Sequence, residues 1–98
     1  MVMAAYFIYA RKEITDEEVS RQYSQQAVPQ IREFGGEVLA ARGAVHALEG
    51  DWEPQSVTIL KFDDRESLMR WYESPEYAPL KEMRLASNVG DVVVVDGG

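Results

Sequence analysis

The chain has 98 residues, 46% hydrophobic and 28% charged, which suits one small globular domain over residues 1–98 and argues against extended disorder. Seventeen acidic residues against ten basic ones give a net charge of -7 with the cations scattered, a balance that disfavours nucleic acid and anionic membranes as partners. Cysteine is absent, which removes disulfides, thiolate nucleophiles, iron-sulfur clusters and thiolate zinc sites together.

Taken in chain order, Val2 to Ala10 is aromatic and β-branched and predicts a first strand ending at Arg11, Lys12 and Glu13. It lacks the basic flank and cleavage site of a secretion signal, and no apolar run reaches membrane-spanning length, so the expected location is cytoplasmic. Thr15 with Glu18 reads as a capping box that starts helix one. Val19, Tyr23, Ala27 and Ile31 form its apolar stripe, Phe34 closes it, and Gly35-Gly36 stops it. Pro29 inside that helix predicts a kink near Gln25 to Pro29.

Glu37 to Leu48 alternates imperfectly and predicts a second strand with a bulge or bend at Gly43, followed by a turn over Glu49 to Pro54. Strand three is expected over Ser56 to Phe62. Asp63 and Asp64 offer caps for a second helix carrying Leu68, Met69, Trp71 and Tyr72. Ser74 and Pro75, as N-cap and first residue, predict a further helical turn with Leu80, Met83 and Leu85 on its apolar side. Val92 to Val95 is strand four, and Gly97-Gly98 is a tail. No internal repeat or low-complexity segment interrupts this order.

The order is β-α-β-β-α-β, an α+β ferredoxin-like sandwich: an antiparallel four-stranded sheet with helices on one face. Strands one and four are apolar on both sides, with Tyr6, Ile8 and Ala10 facing one way and Ala5, Phe7 and Tyr9 the other. Right-handed crossovers place both helices on the same side, so the second face asks for another copy of the chain, as a homodimer through the open sheet.

Several strings carry a family resemblance: Phe34-Gly35-Gly36, Ala41-Arg42-Gly43, Leu48-Glu49-Gly50-Asp51-Trp52, Trp71-Tyr72-Glu73-Ser74-Pro75-Glu76-Tyr77 and Pro79-Leu80-Lys81. Together they resemble the bacterial family labelled domain of unknown function 1330. The resemblance implies the dimeric α+β barrel fold and leads into a group that includes cofactor-independent monooxygenases, muconolactone isomerases, haem-binding relatives and ligand-sensing domains. It supplies no catalytic residues.

The site residues follow from chemistry instead. His46 is the single histidine, a candidate for proton transfer beside Glu49 or Asp51, against which stands an exposed strand-end role. Arg42 in an apolar strand is a candidate anchor for a substrate carboxylate or a structural ion pair. Trp52, Tyr72 and Tyr77 are candidate walls of a small-molecule pocket, while Trp71 fits the core. Glu49, Asp51 and Glu53 alternate through the turn but lack a full ligand set, so no metal is assigned, and no cofactor. Haem would have His46 alone for an axial ligand. Two functions stay open: a homodimeric protein with a small-molecule pocket, or a cofactor-independent isomerase or monooxygenase acting on a small organic acid or aromatic.

Overall fold

A computed structural model describes residues 3–97; Met1, Val2 and Gly98, and with them the start of the expected first strand and the end of the expected tail, lie outside the described residues. The elements are β1 (Ala5–Ile14), α1 (Glu17–Glu33), β2 (Glu37–Ala40), β3 (Ser56–Phe62), α2 (Arg65–Tyr72), α3 (Ala78–Ser87) and β4 (Asn88–Asp96). The four strands form one antiparallel sheet in the order β2-β3-β1-β4, with the helices packed on one face. This is the α+β, ferredoxin-like architecture of the dimeric α+β barrel class.

The two apolar sides of β1 separate as the alternation requires. Ala5, Phe7 and Tyr9 turn toward the helices and join Leu60 and Phe62 of β3 in the core. Trp71 fills the centre of that core with no solvent exposure. Its ring meets Phe7 edge-on at 5.3 Å, stacks on Phe62 at 5.6 Å and lies 4.3 Å from Tyr77. Its indole N–H donates to the Gln30 side chain at 3.2 Å, so burial leaves no orphaned donor. Gly36 follows from the same crowding: a Cβ there would stand 2.6 Å from Ile31 and 2.7 Å from Phe62. Gly35 just before it has a φ of +87°, the left-handed turn that ends α1.

Four local expectations are corrected. The α1 cap is Asp16, whose carboxylate accepts from the Val19 amide, while Thr15 is drawn to the end of α3, its amide donating to the Ser87 carbonyl. Glu18 then pairs with Arg21 and Gln22 instead of returning to the cap. β1 runs on to Ile14, because β4 extends beside it past a register shift between Arg11 and Glu13. β2 ends at Ala40 rather than Leu48: the register against β3 shifts between Val38 and Ala40, and the following residues are mostly exposed and pair with no strand. Ser74 caps a turn, its hydroxyl accepting from the Tyr77 amide, and α3 begins only at Ala78; Leu85 consequently faces solvent, while Leu80 and Arg84 face in. α1 continues as one helix through Pro29.

The other sheet face carries Tyr6, Ile8 and Ala10 of β1, level with Ile59 and Val57 of β3 on one side and Val95 and Val93 of β4 on the other. No described element covers it. Among the described residues no helix is long and apolar enough to cross a membrane.

Candidate functional site

Between α1 and the helix-side face of the sheet lies a cavity of about 110 Å³. Phe7, Leu60 and Val38 from the strands and Ala27, Val28 and Ile31 from α1 make its apolar wall. These are the stripe residues of α1 and the inward residues of the strands, so the cavity lies where the two apolar surfaces diverge.

At one end the wall turns polar. Tyr9, Tyr23, Ser20, Asn88 and Arg84 line it there. The Ser20 hydroxyl donates to the Asn88 side-chain carbonyl at 3.3 Å, and the Asn88 amide donates to Ser87 Oγ at 2.8 Å and to the Arg84 carbonyl at 3.4 Å. These bonds hold the end of α3 against the start of α1.

Arg84 is the unusual member. It is 4% exposed, and no carboxylate pairs with it among the described residues. Its Nε donates to the Tyr77 phenol oxygen at 3.2 Å, and its guanidinium lies over the Tyr9 ring at 5.0 Å. Tyr77 and Tyr23 in turn share a hydrogen bond of 2.9 Å between their hydroxyls. Burial opposes the charge on Arg84, but Tyr77, Tyr23 and Tyr9 around it outweigh that and hold the guanidinium firmly protonated. A buried cation is costly unless something opposes it, and here the phenols supply partial charge only.

The tyrosines respond in the opposite sense. Tyr23 is pushed well above the usual phenol value, first by burial and then by Tyr77 beside it; Tyr9 is raised by burial as well, against the pull of Arg84. Both are therefore neutral hydrogen-bond donors throughout the physiological range. A phenol raised in the folded state keeps its stabilising contribution below the unfolded value of 10.0 and loses it as the pH climbs above that, because the unfolded chain ionises first. The alkaline loss of stability should thus be steeper in the parent than in Tyr23→Phe, by about 1.4 kcal/mol per pH unit above pH 10. Urea unfolding of both proteins from pH 9 to about 11.5 checks this; parallel curves would mean that Tyr23 ionises as freely folded as unfolded.

The residues singled out from sequence are distributed unevenly around this cavity. Arg42 lines its mouth, just past the end of β2. Tyr77 is fully buried behind the cavity, where it orients Arg84 and Tyr23 without lining the space. Tyr72 belongs to the aromatic cluster with Phe7, Trp71 and Tyr77, and Lys81 lies over its ring at 4.4 Å. His46 and Trp52 lie on the exposed connection between β2 and β3, Trp52 with 65% of its surface free, and neither lines the cavity. Glu49, Asp51 and Glu53 share that connection, and no group of three metal-ligating side chains occurs among the described residues. The sequence reading missed Arg84, Tyr9, Tyr23, Ser20 and Asn88. One signal was available: Tyr77, Leu80, Arg84, Ser87 and Asn88 recur at helical spacing, so Arg84 is a charge inside an otherwise inward-facing row.

Comparison with known proteins adds fold and family. A protein of unknown function from Rhodopseudomonas palustris superposes with a TM-score of 0.78 at 14% identity, covering 100% of this chain and 85% of its own. An EthD-family protein from Bacillus halodurans gives 0.62 at 14% identity, over 98% and 99% of the two chains. SnoaB, a cofactor-independent oxygenase from Streptomyces nogalater, gives 0.55 at 10% identity, over 97% and 92%. At these identities the likeness is one of fold. No curated protein matches the sequence. Residues 4–98 match the family model described as Domain of unknown function (DUF1330).

Proposed function

This chain belongs to the DUF1330 family, and from that premise we propose that it is a homodimeric protein that binds a small organic acid in the cavity between α1 and the sheet, with the ligand carboxylate on Arg84. The observation that carries the reading is the arginine itself: 4% exposed, part of the cavity lining and opposed by no carboxylate among the described residues. A ligand carboxylate supplies the missing opposite charge and can accept two parallel bonds from an arginine. Tyr9 and Tyr23, held neutral, add donors beside it, and the apolar wall accommodates the rest of the molecule.

An isomerase or monooxygenase working on such an acid is the second reading. It needs a group to take a proton, and the described lining holds no aspartate, glutamate or histidine. Binding is therefore the function the geometry favours. The homodimer in the proposal is supported by the apolar, uncovered sheet face and by the fold class.

Calorimetric titration and thermal melts with butyrate and benzoate, set against the neutral isosteres butyramide and benzamide, test the reading. The acids are expected to bind and to stabilise the fold by about 2.7 kcal/mol at a hundredfold excess over Kd, with no effect from the amides. Equal binding of acid and amide, or silence from both acids, would overturn it.

A further inference from the structure

Arg84 is one of three arginines on this cavity. Arg11 and Arg42 line it too, and both also border a wider, shallower groove that opens where the 42–44 segment passes the N-terminal half of α1. In a chain with seventeen acidic side chains, none lines the cavity among the described residues. The ion pairs found among the described residues engage Lys12, Arg21, Arg65 and Arg70, and none of the three cavity arginines. Glu17 and Glu18 border the outer groove with Arg21, and Glu18 is held by that arginine at 2.5 Å. Positive charge is thus concentrated in a recess into which an acidic protein could draw an anion.

The three cations are also arranged in depth. Phe7, Tyr9 and Arg11 succeed one another along the helix-side face of β1, and solvent exposure rises along the series. The Arg84 guanidinium lies at the level of Tyr9, whereas Arg11 is one step further out on the same face, about 7 Å along the strand. Arg11 is fixed there: its Nε donates to Gln55 Oε1 at 2.9 Å, and its carbonyl accepts from the Gln55 amide at 2.7 Å. The two Nη groups of Arg11, and the guanidinium of Arg42, are free of ion pairs among the described residues.

From this arrangement we propose that the ligand carries two anionic groups, one at each end: a short dicarboxylate whose inner carboxylate pairs with Arg84 and whose outer one is met by Arg11 and Arg42. The proposal deepens the carboxylate reading and rests on it. A monoacid of the same length satisfies Arg84 alone and leaves the mouth charges to water.

The test compares succinate, glutarate and adipate with butyrate, valerate and hexanoate by calorimetric titration at low salt, on the parent, R42Q and R11Q. The best diacid is expected to bind about tenfold tighter than its matched monoacid, with the ratio falling toward one in either variant and on adding about 0.5 M salt. Should R11Q fail to fold, R42Q, altered at an exposed position, and the salt series carry the comparison. Monoacids that bind as tightly as diacids in the parent overturn the dicarboxylate proposal while leaving the Arg84 reading in place; if neither series binds, both fall.

Discussion

Arg84→Met is expected to abolish binding of butyrate and benzoate while destabilising the ligand-free protein by no more than about 2 kcal/mol. Truncating the charged partner of a desolvated carboxylate typically costs about 2–5 kcal/mol, which is a loss of roughly 30-fold to several thousandfold in affinity. Stability follows different terms. The substitution gives up one hydrogen bond to Tyr77 and one contact over the Tyr9 ring, each worth about 1 kcal/mol. Against that loss, the guanidinium no longer has to be desolvated, a cost that the surrounding phenols offset in the parent, and an unbranched Met chain refills the space. Tyr77 and Tyr23 still satisfy one another. Urea unfolding and calorimetry on the same preparation separate the two effects. A variant that is destabilised by more than about 2 kcal/mol and binds acids as well as the parent would make Arg84 a structural residue of α3 and not a ligand partner.

The second large effect concerns assembly. Ile8→Glu and Val93→Glu each set a carboxylate in the middle row of the open sheet face, where Ile8 lies level with Ile59 and Val93. In the proposed homodimer that row is the centre of the interface, and an unpaired buried charge there costs several kcal/mol, or about a thousandfold in dimer Kd. Sedimentation velocity at micromolar concentration should find the parent as a dimer and both variants as monomers with unchanged helix content by circular dichroism. Ile8 is half-buried, so Val93, with 53% of its surface free in the protomer, is the safer of the two for folding. A parent that sediments as a monomer would remove the dimer from the proposal.

The fold was legible because its largest decisions rest on pattern. The continuous apolar runs of β1 and β4, the period-four stripe of α1 and the Val-Thr-Ile-Leu run of β3 each admit one element type. The failures lie where a local signal met a tertiary competitor. Thr15 is a sound cap in isolation, but the Ser87 carbonyl claims its amide and the chain starts the helix one residue later, at Asp16. Glu37 to Leu48 has strand-like composition, yet beyond Ala40 it pairs with no strand among the described residues.

The candidate site was less legible for a related reason. Arg42 stands out in the sequence as a charge in an apolar strand, and the structure places it at the cavity mouth. Arg84 sits in Lys81-Glu82-Met83-Arg84, where a charge looks like an ordinary solvated helix face. Only the position of Tyr77 and Leu80 upstream and Ser87 downstream turns it inward. His46 and Trp52 stand out by residue type, which says what a side chain can do but not whether the chain brings it to a shared space.

The packing of Trp71 has a consequence for how this protein can be observed. Its indole lies 4.3 Å from the Tyr77 ring, and the Tyr77 oxygen receives the Arg84 Nε, so a fluorophore shielded from water is one residue removed from the guanidinium that would take the ligand. The other tryptophan, Trp52, emits from solvent and is open to iodide quenching. Occupancy of the cavity should therefore be written in the unquenchable, blue-shifted part of the emission and conformational change of the β2–β3 connection in the quenchable part, giving two optical channels without any added label.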